Sequence, residues 1–216
     1  INDPVSVDCD ANGAIYVVDN FNANVRVFEN NLTSRGTIGA SGTTSGNLEA
    51  PCCVAVSRDG EVFVADQTLD GLHIFQESGH FLAKWNTASG DLGVFLNPRD
   101  AAIGPDGKLY VAERGNFRIQ RLTTDGQPEA AGGAFGTLPG QFLSVDGVAV
   151  GTNSVGNTII YALDEALNKV QVFNAALTSF YQFADGTTFP DPVDLAVDST
   201  GDTLVLDATG NHIGKY

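Results

Sequence analysis

The sequence predicts an all-β protein, a β-propeller of four-stranded antiparallel blades, and three observations lead there. The first is a repeat. An apolar anchor falls at Val7, Val56, Ile103, Val150 and Val197, 47 to 49 residues apart. Each anchor is followed by a run closing on an acid, at Asp19, Asp66, Glu113, Asp164 and Asp207. Nine residues beyond each acid stands a large apolar residue, at Phe28, Phe75, Leu122, Phe173 and Tyr216. A period of this size marks an array of supersecondary units. The second observation is that short runs rich in β-branched and aromatic residues alternate with Gly, Asp and Asn turns, with no sustained helical periodicity. The third is that the runs closing on the acids are almost continuously apolar, as strands are when both faces of their sheet are covered. Small sheets standing side by side about an axis supply that cover and protect one another's edges.

The second unit shows the order of elements. Pro51 opens a run to Ser57, and Arg58, Asp59 and Gly60 supply a hairpin turn. Glu61 to Asp66 is the second strand, Leu72 to Phe75 the third, and a turn at Ser78 and Gly79 leads into a fourth from Phe81 to Trp85. Turns recur at Asp10 to Gly13 and Pro105 to Gly107. An insertion around Asn153 to Asn157 is expected to spoil the first turn of unit four. The units run roughly 1-47, 48-94, 95-141, 142-188 and 189-216, a single propeller domain or propeller fragment over 1-216, and the last unit lacks its outer strand.

At 216 residues the chain is long enough for one sizeable core. No stretch approaches the roughly 20 apolar residues of a membrane-spanning helix. The chain opens on Ile1 and contains no methionine, which predicts a processed or excised segment. Its 26 acids against 11 Lys and Arg leave a charge of −15, which repels phosphate backbones and favours cations or basic partners. Nucleic acid is therefore not expected as a partner. Cys9 lies at the opposite strand end from Cys52 and Cys53, about five residues at ~3.3 Å each away, beyond disulfide reach. A vicinal Cys52–Cys53 bridge would be strained, so all three thiols are expected free.

With the register set, the chain resembles the NHL-repeat family of β-propellers. The pattern is fullest from Pro98 through the Pro105–Gly107 turn and the run Leu109–Glu113 to Arg118–Leu122. The family's Gly-x-Phe-x-x-Pro segment appears at Gly93, Phe95 and Pro98. It recurs at Gly140 and Phe142 with Val145 in the proline place, and its spacing is kept by Leu48 and Pro51 and by Phe189 and Pro192. The resemblance implies blades of this kind, commonly six. About four and a half units then suggest a fragment, against a closed five-bladed ring with one three-stranded blade. An unclosed array would expose blade faces and assemble with copies of itself.

The five strand-ending acids form a candidate carboxylate ring, expected to serve in turns and ion pairs, with Glu113 facing Arg118 and Asp164 facing Lys169. His212 takes the place of those basic residues. His73 lies in a third strand and His80 after a turn. Peptide-amidating lyases, which share the family's repeats, bind zinc through three channel-facing histidines, and none of these three holds such a place. Asp100, Asp146 and Asp194, each just before an innermost strand, are the candidate metal ligands, for Ca²⁺ at the channel mouth, against the plainer expectation that each caps its own turn in solvent. No other cofactor is expected. No Ser-His-Asp triad, phosphate-cradling glycine loop or CxxC knuckle is present.

These features favour a non-catalytic binding or assembly module with an acidic rim, its partner another protein or copies of itself. The alternative is a Ca- or Zn-dependent lyase or hydrolase of the six-bladed propeller type. RNA binding, known for some family members with a basic face, fits the charge poorly. The acidity and the Thr, Asn and Gly content suggest a secreted or cell-surface protein, with no membrane insertion.

Overall fold

The computed structural model describes residues 1–86, 92–183, 189–198, 200–209 and 212–215. Among them nineteen strands form five sheets of consecutive neighbours, and no helix occurs. The first blade is β1 (Pro4–Cys9), β2 (Ile15–Asp19), β3 (Asn24–Phe28) and β4 (Ser34–Ile38). The second is β5 (Pro51–Val56), β6 (Glu61–Asp66), β7 (Gly71–Gln76) and β8 (Phe81–Trp85). The third is β9 (Pro98–Ile103), β10 (Leu109–Glu113), β11 (Arg118–Leu122) and β12 (Pro128–Gly132). The fourth is β13 (Gly147–Thr152), β14 (Thr158–Asp164), β15 (Lys169–Asn174) and β16 (Ser179–Phe183). The fifth has three strands, β17 (Pro192–Val197), β18 (Thr203–Asp207) and β19 (His212–Lys215), and the Tyr216 expected to close β19 lies outside the described residues. These are propeller blades, as the repeat predicts.

The chain divides into two compact units, Ile1–Ala101 and Ala102–Tyr216, with the boundary inside β9. In the first unit, the faces of the first two blades bury Tyr16, Val18, Val25 and Val27 against Val54, Val56, Val62, Val64 and Phe75. In the second, Tyr110, Ala112 and Ile119 pack on Val148, Ile160, Ala162 and Phe173. The other face of the fourth blade packs Tyr161, Leu163 and Val172 on Leu195 and Val205 of the fifth. Burying both faces explains why β6, β10 and β14 read as continuous apolar runs.

Every first turn has one construction. The opening residue (Asp10, Ser57, Gly104, Asn153, Asp198) receives the backbone N–H of a glycine three residues on and donates its own N–H to the carbonyl four residues on. The five glycines, Gly13, Gly60, Gly107, Gly156 and Gly201, all have φ between 73° and 91°, where a side chain is strained. The expected spoiling of this turn in the fourth unit does not occur. The extra residues lengthen both strands instead, adding the pairs Gly151↔Ile159 and Thr152↔Thr158 beyond Val150↔Ile160. The first anchor also shifts. Val7 pairs with Val17 and is the counterpart of Val54, which pairs with Val64, while Cys9 holds the place of Val56.

Two faces break the pattern of burial. Val7 is 64% exposed, whereas its counterparts Val54, Ala101, Val148 and Leu195 are buried. Leu32, in the β3–β4 turn, is 71% exposed, while its counterpart Leu177 is buried against Gly132 of the preceding blade. At the fifth blade, Leu206 is 41% and Ile213 65% exposed, although both counterparts in each of the other four blades are buried.

Candidate functional site at the start of the innermost strands

The acids that end the second strands are fully buried. Each aspartate accepts hydrogen bonds from the backbone of the segment that enters its own blade. Asp19 accepts from the N–H of Asn2 (3.0 Å) and Asp3 (3.3 Å). Asp66 does so from Glu49 (2.7 Å) and Ala50, Asp164 from Leu143 (2.8 Å) and Ser144 (3.2 Å), and Asp207 from Asp191 (3.0 Å). Three also grip the loop that follows, through Asn22, Leu69 and Leu167. A carboxylate is suited to this because its two oxygens accept several bonds and buried amides need partners. These acids are therefore structural clamps.

Glu113 has one methylene more and turns to side chains, accepting from Asn116 (2.6 Å), Arg118 (3.0 Å) and Gln120 (2.6 Å). The expected Glu113–Arg118 ion pair is present. Asp164 and Lys169 are register partners, yet the Asp164 oxygens are taken by backbone N–H groups. Burial pushes the carboxyls of Glu113 and Asp164 above their ordinary range despite these donors. Burial would raise Asp19 too, but the bonds from Asn22, Asn2 and Asp3 outweigh it and hold that carboxyl low.

The next polar row lies where the innermost strands begin. Pro4, Pro51 and Pro192 pair with the clamping acids, and the next residue is extruded as a β-bulge before pairing resumes. In the fourth blade Asp146 donates its N–H to Leu163, the residue Gly147 pairs with, so Asp146 holds the bulge position. In the first three blades the residue after the acid reaches the start of the following blade. Asn20 Nδ2 donates to the Pro51 carbonyl (2.9 Å), Arg99 donates to Gln67 Oε1 (2.5 Å), and Arg114 Nε donates to Asp146 Oδ1 (2.8 Å). Arg114 also lies 3.6 Å from Glu165. Sequence reasoning singled out only Asp146 of this row, although the 47-residue spacing of Pro4, Pro51, Pro98, Val145 and Pro192 marks where it begins.

The three channel-mouth candidates do not hold equivalent places. Asp100 and Asp194 share one, each accepting the N–H of the next residue, Ala101 or Leu195, at 2.8 Å. Asp146 stands one residue earlier, held by Arg114. Among the described residues, no three His, Cys, Asp or Glu side chains converge in a group able to hold a metal ion. The histidines are dispersed by role. His212 pairs with Asp207 in register and stacks on Phe189 at 5.5 Å. His80 is exposed at its turn. His73 is fully buried beside Phe81, neither ring nitrogen has a hydrogen-bond partner, and burial with nearby Lys84 pushes its pKa down to about 4.

In-register meanders clamped by buried acids define a repeat protein of the β-propeller class. Residues 95–122 match the NHL repeat model, and the other blades repeat the same elements in register. Within those residues the chain is similar to the NHL repeat, and its five sheets are those of a β-propeller. No curated protein matches it in sequence. Among solved structures it is similar to virginiamycin B lyase from Staphylococcus aureus, with TM-score 0.72 and 14% identity over 100% of this chain and 70% of that one. A catalytically inactive form of the same lyase, solved with quinupristin, gives 0.72 at 13% identity over 99% and 69%. A protein of unknown function from Bacteroides caccae gives 0.60 at 15% over 93% and 71%. At such identities the likeness is one of fold, and function has to be argued from sites.

Proposed function

We propose that this chain is a non-catalytic binding or assembly module whose partner is a further blade of its own kind, contributed by a second copy. The observation that carries this reading is the pair of uncovered end faces. Val7 and Leu32 on the first blade, and Leu206 and Ile213 on the fifth, are exposed at places whose counterparts are buried by a neighbouring blade. What covers such a face elsewhere is known: Leu177 sits against Gly132, a glycine in the outermost strand of the blade before it. Head-to-tail pairing of a first-blade face with a fifth-blade face would reproduce that packing and is heterologous, so it can propagate. The buried clamping acids cannot contact a partner, which leaves exposed Asp3, Glu49, Asp191 and Asp194 to carry the acidic rim.

The two versions of the reading respond to salt in opposite ways. Copies carrying −15 each repel one another, so an apolar end-to-end contact strengthens as salt screens the charge. A basic partner held by the acidic rim weakens instead. Light scattering across concentration and ionic strength should show association that grows with both, and Val7→Asp or Ile213→Asp should return it to monomer. A protein that stays monomeric at every concentration and salt would refute the assembly reading.

The second reading, a metal-dependent lyase or hydrolase, draws on the fold shared with virginiamycin B lyase. Its direct test is turnover of quinupristin with and without added Ca²⁺ or Zn²⁺; turnover that disappears in an Asp100→Asn or Asp194→Asn variant would establish it.

A further inference from the structure

The bulge in β5 carries a feature found in no other blade. The extruded residue is Cys52 and the one that resumes pairing is Cys53, opposite Ala65. A regular strand would send adjacent side chains to opposite faces, whereas the extra residue of a bulge re-aims one of them. The two thiols consequently lie within hydrogen-bond reach of each other, with Cys52 against the start of β9. Cys52 Sγ donates to the Pro98 carbonyl at 3.1 Å and approaches the Ala65 carbonyl at 3.5 Å, and Cys53 is buried beneath it. Cys52 is half-buried and so open to solvent on one side. All three cysteines are free, and Cys9 is exposed near the far end of its own strand.

We propose that Cys52 and Cys53 form a dithiol site for thiophilic electrophiles with two exchangeable positions, the class of which trivalent organoarsenicals are the simplest members. In the reaction with an arsine oxide, two As–S bonds form and two S–H bonds break. Both protons leave with the arsenic-bound oxygen as one water, arsenic stays trivalent, and no oxidant is required. Cys52 is the entry point because it is the more accessible thiol, and Cys53 closes the ring from inside. The fold selects a two-armed reagent over single-point alkylation, since the Cys52 thiol and burial hold the Cys53 thiol well above its ordinary pKa and leave it a poor lone nucleophile.

The test is phenylarsine oxide on the folded protein in excess 2-mercaptoethanol, read by intact mass with circular dichroism as a check on folding. One arsenical per chain is expected, retained in Cys9→Ser, stripped by a competing dimercaptan, and absent in both Cys52→Ser and Cys53→Ser. Cys52→Ala supplies a second variant at the half-exposed position should Cys53→Ser unfold. The proposal is overturned if the adduct survives in the Cys52 variants. It is overturned equally if the folded protein takes no reagent while the urea-unfolded chain takes one equivalent.

Discussion

The first and fourth blades are built from the same repeat, yet residues that the fourth buries are exposed on the first. The fourth packs Val148 and Leu177 against the third, while the first leaves the matching Val7 and Leu32 in solvent. Strand order, turn construction and acid clamp are the same in both. A blade's local architecture is therefore set by its own sequence, and what its neighbour adds is burial. Residues chosen for apolar character keep that character in the blade that lacks cover, which is why the uncovered face is informative.

The sharpest way to break this comparison is to remove the same side chain from both blades. Leu177→Ala should cost about 2–4 kcal/mol because it empties a packed site, whereas Leu32→Ala should stay within about 0.5 kcal/mol, as exposed substitutions do. Ile119→Ala against Ile213→Ala repeats the contrast at the other uncovered face. Urea midpoints measured where the protein is monomeric provide the readout. Equal losses at Leu32 and Leu177 would mean that the first-blade face is covered in solution.

A smaller contrast separates the clamping acids. Asp19 has a lowered carboxyl pKa, so it contributes stability above the unfolded value, and that contribution is lost as pH falls through its folded value. Asp164 has a raised one, so the folded state takes up its proton first and gains stability as pH falls from its folded value towards the unfolded one. Asp19→Asn should therefore destabilise more than Asp164→Asn at neutral pH, and the gap should close on acidification. Denaturation midpoints of the two variants across the acid range measure it; a gap that widens in acid would reverse the assignment.

The blades, their antiparallel order and the acid row were legible because a period and short apolar runs bounded by Gly, Asp and Asn turns survive in the letters. Which side a residue faces was less legible. The bulge after Pro4, Pro51 and Pro192 changes facing by one residue without changing the spacing. For that reason Asp146 reads as a partner of Asp100 and Asp194, although it belongs with Cys52 and Arg99. The depth of the acids was illegible for a related reason: an acid at a strand end looks solvated until the amides of a segment some 16 to 21 residues away arrive to satisfy it.

The smallest effect concerns the first turns, where the two blades differ in residue but not in bonding. Asp10 Oδ1 accepts the N–H of Asn12 (2.8 Å) and Ala14 (2.9 Å). In the lengthened fourth blade Asn153 Oδ1 accepts those of Val155 (3.2 Å) and Asn157 (2.9 Å). The geometry calls for a side-chain oxygen three bonds from Cα, which Asp and Asn both supply. Asp10→Asn and Asn153→Asp should each change stability by less than about 0.5 kcal/mol, whereas alanine at either place should cost about 1 kcal/mol for the orphaned amides. Parallel losses for the two alanine variants would show that the fourth blade absorbed its extra residues by extending a ladder around an unchanged turn. A loss confined to Asp10→Ala would mean that the longer β13–β14 hairpin holds its turn without that oxygen.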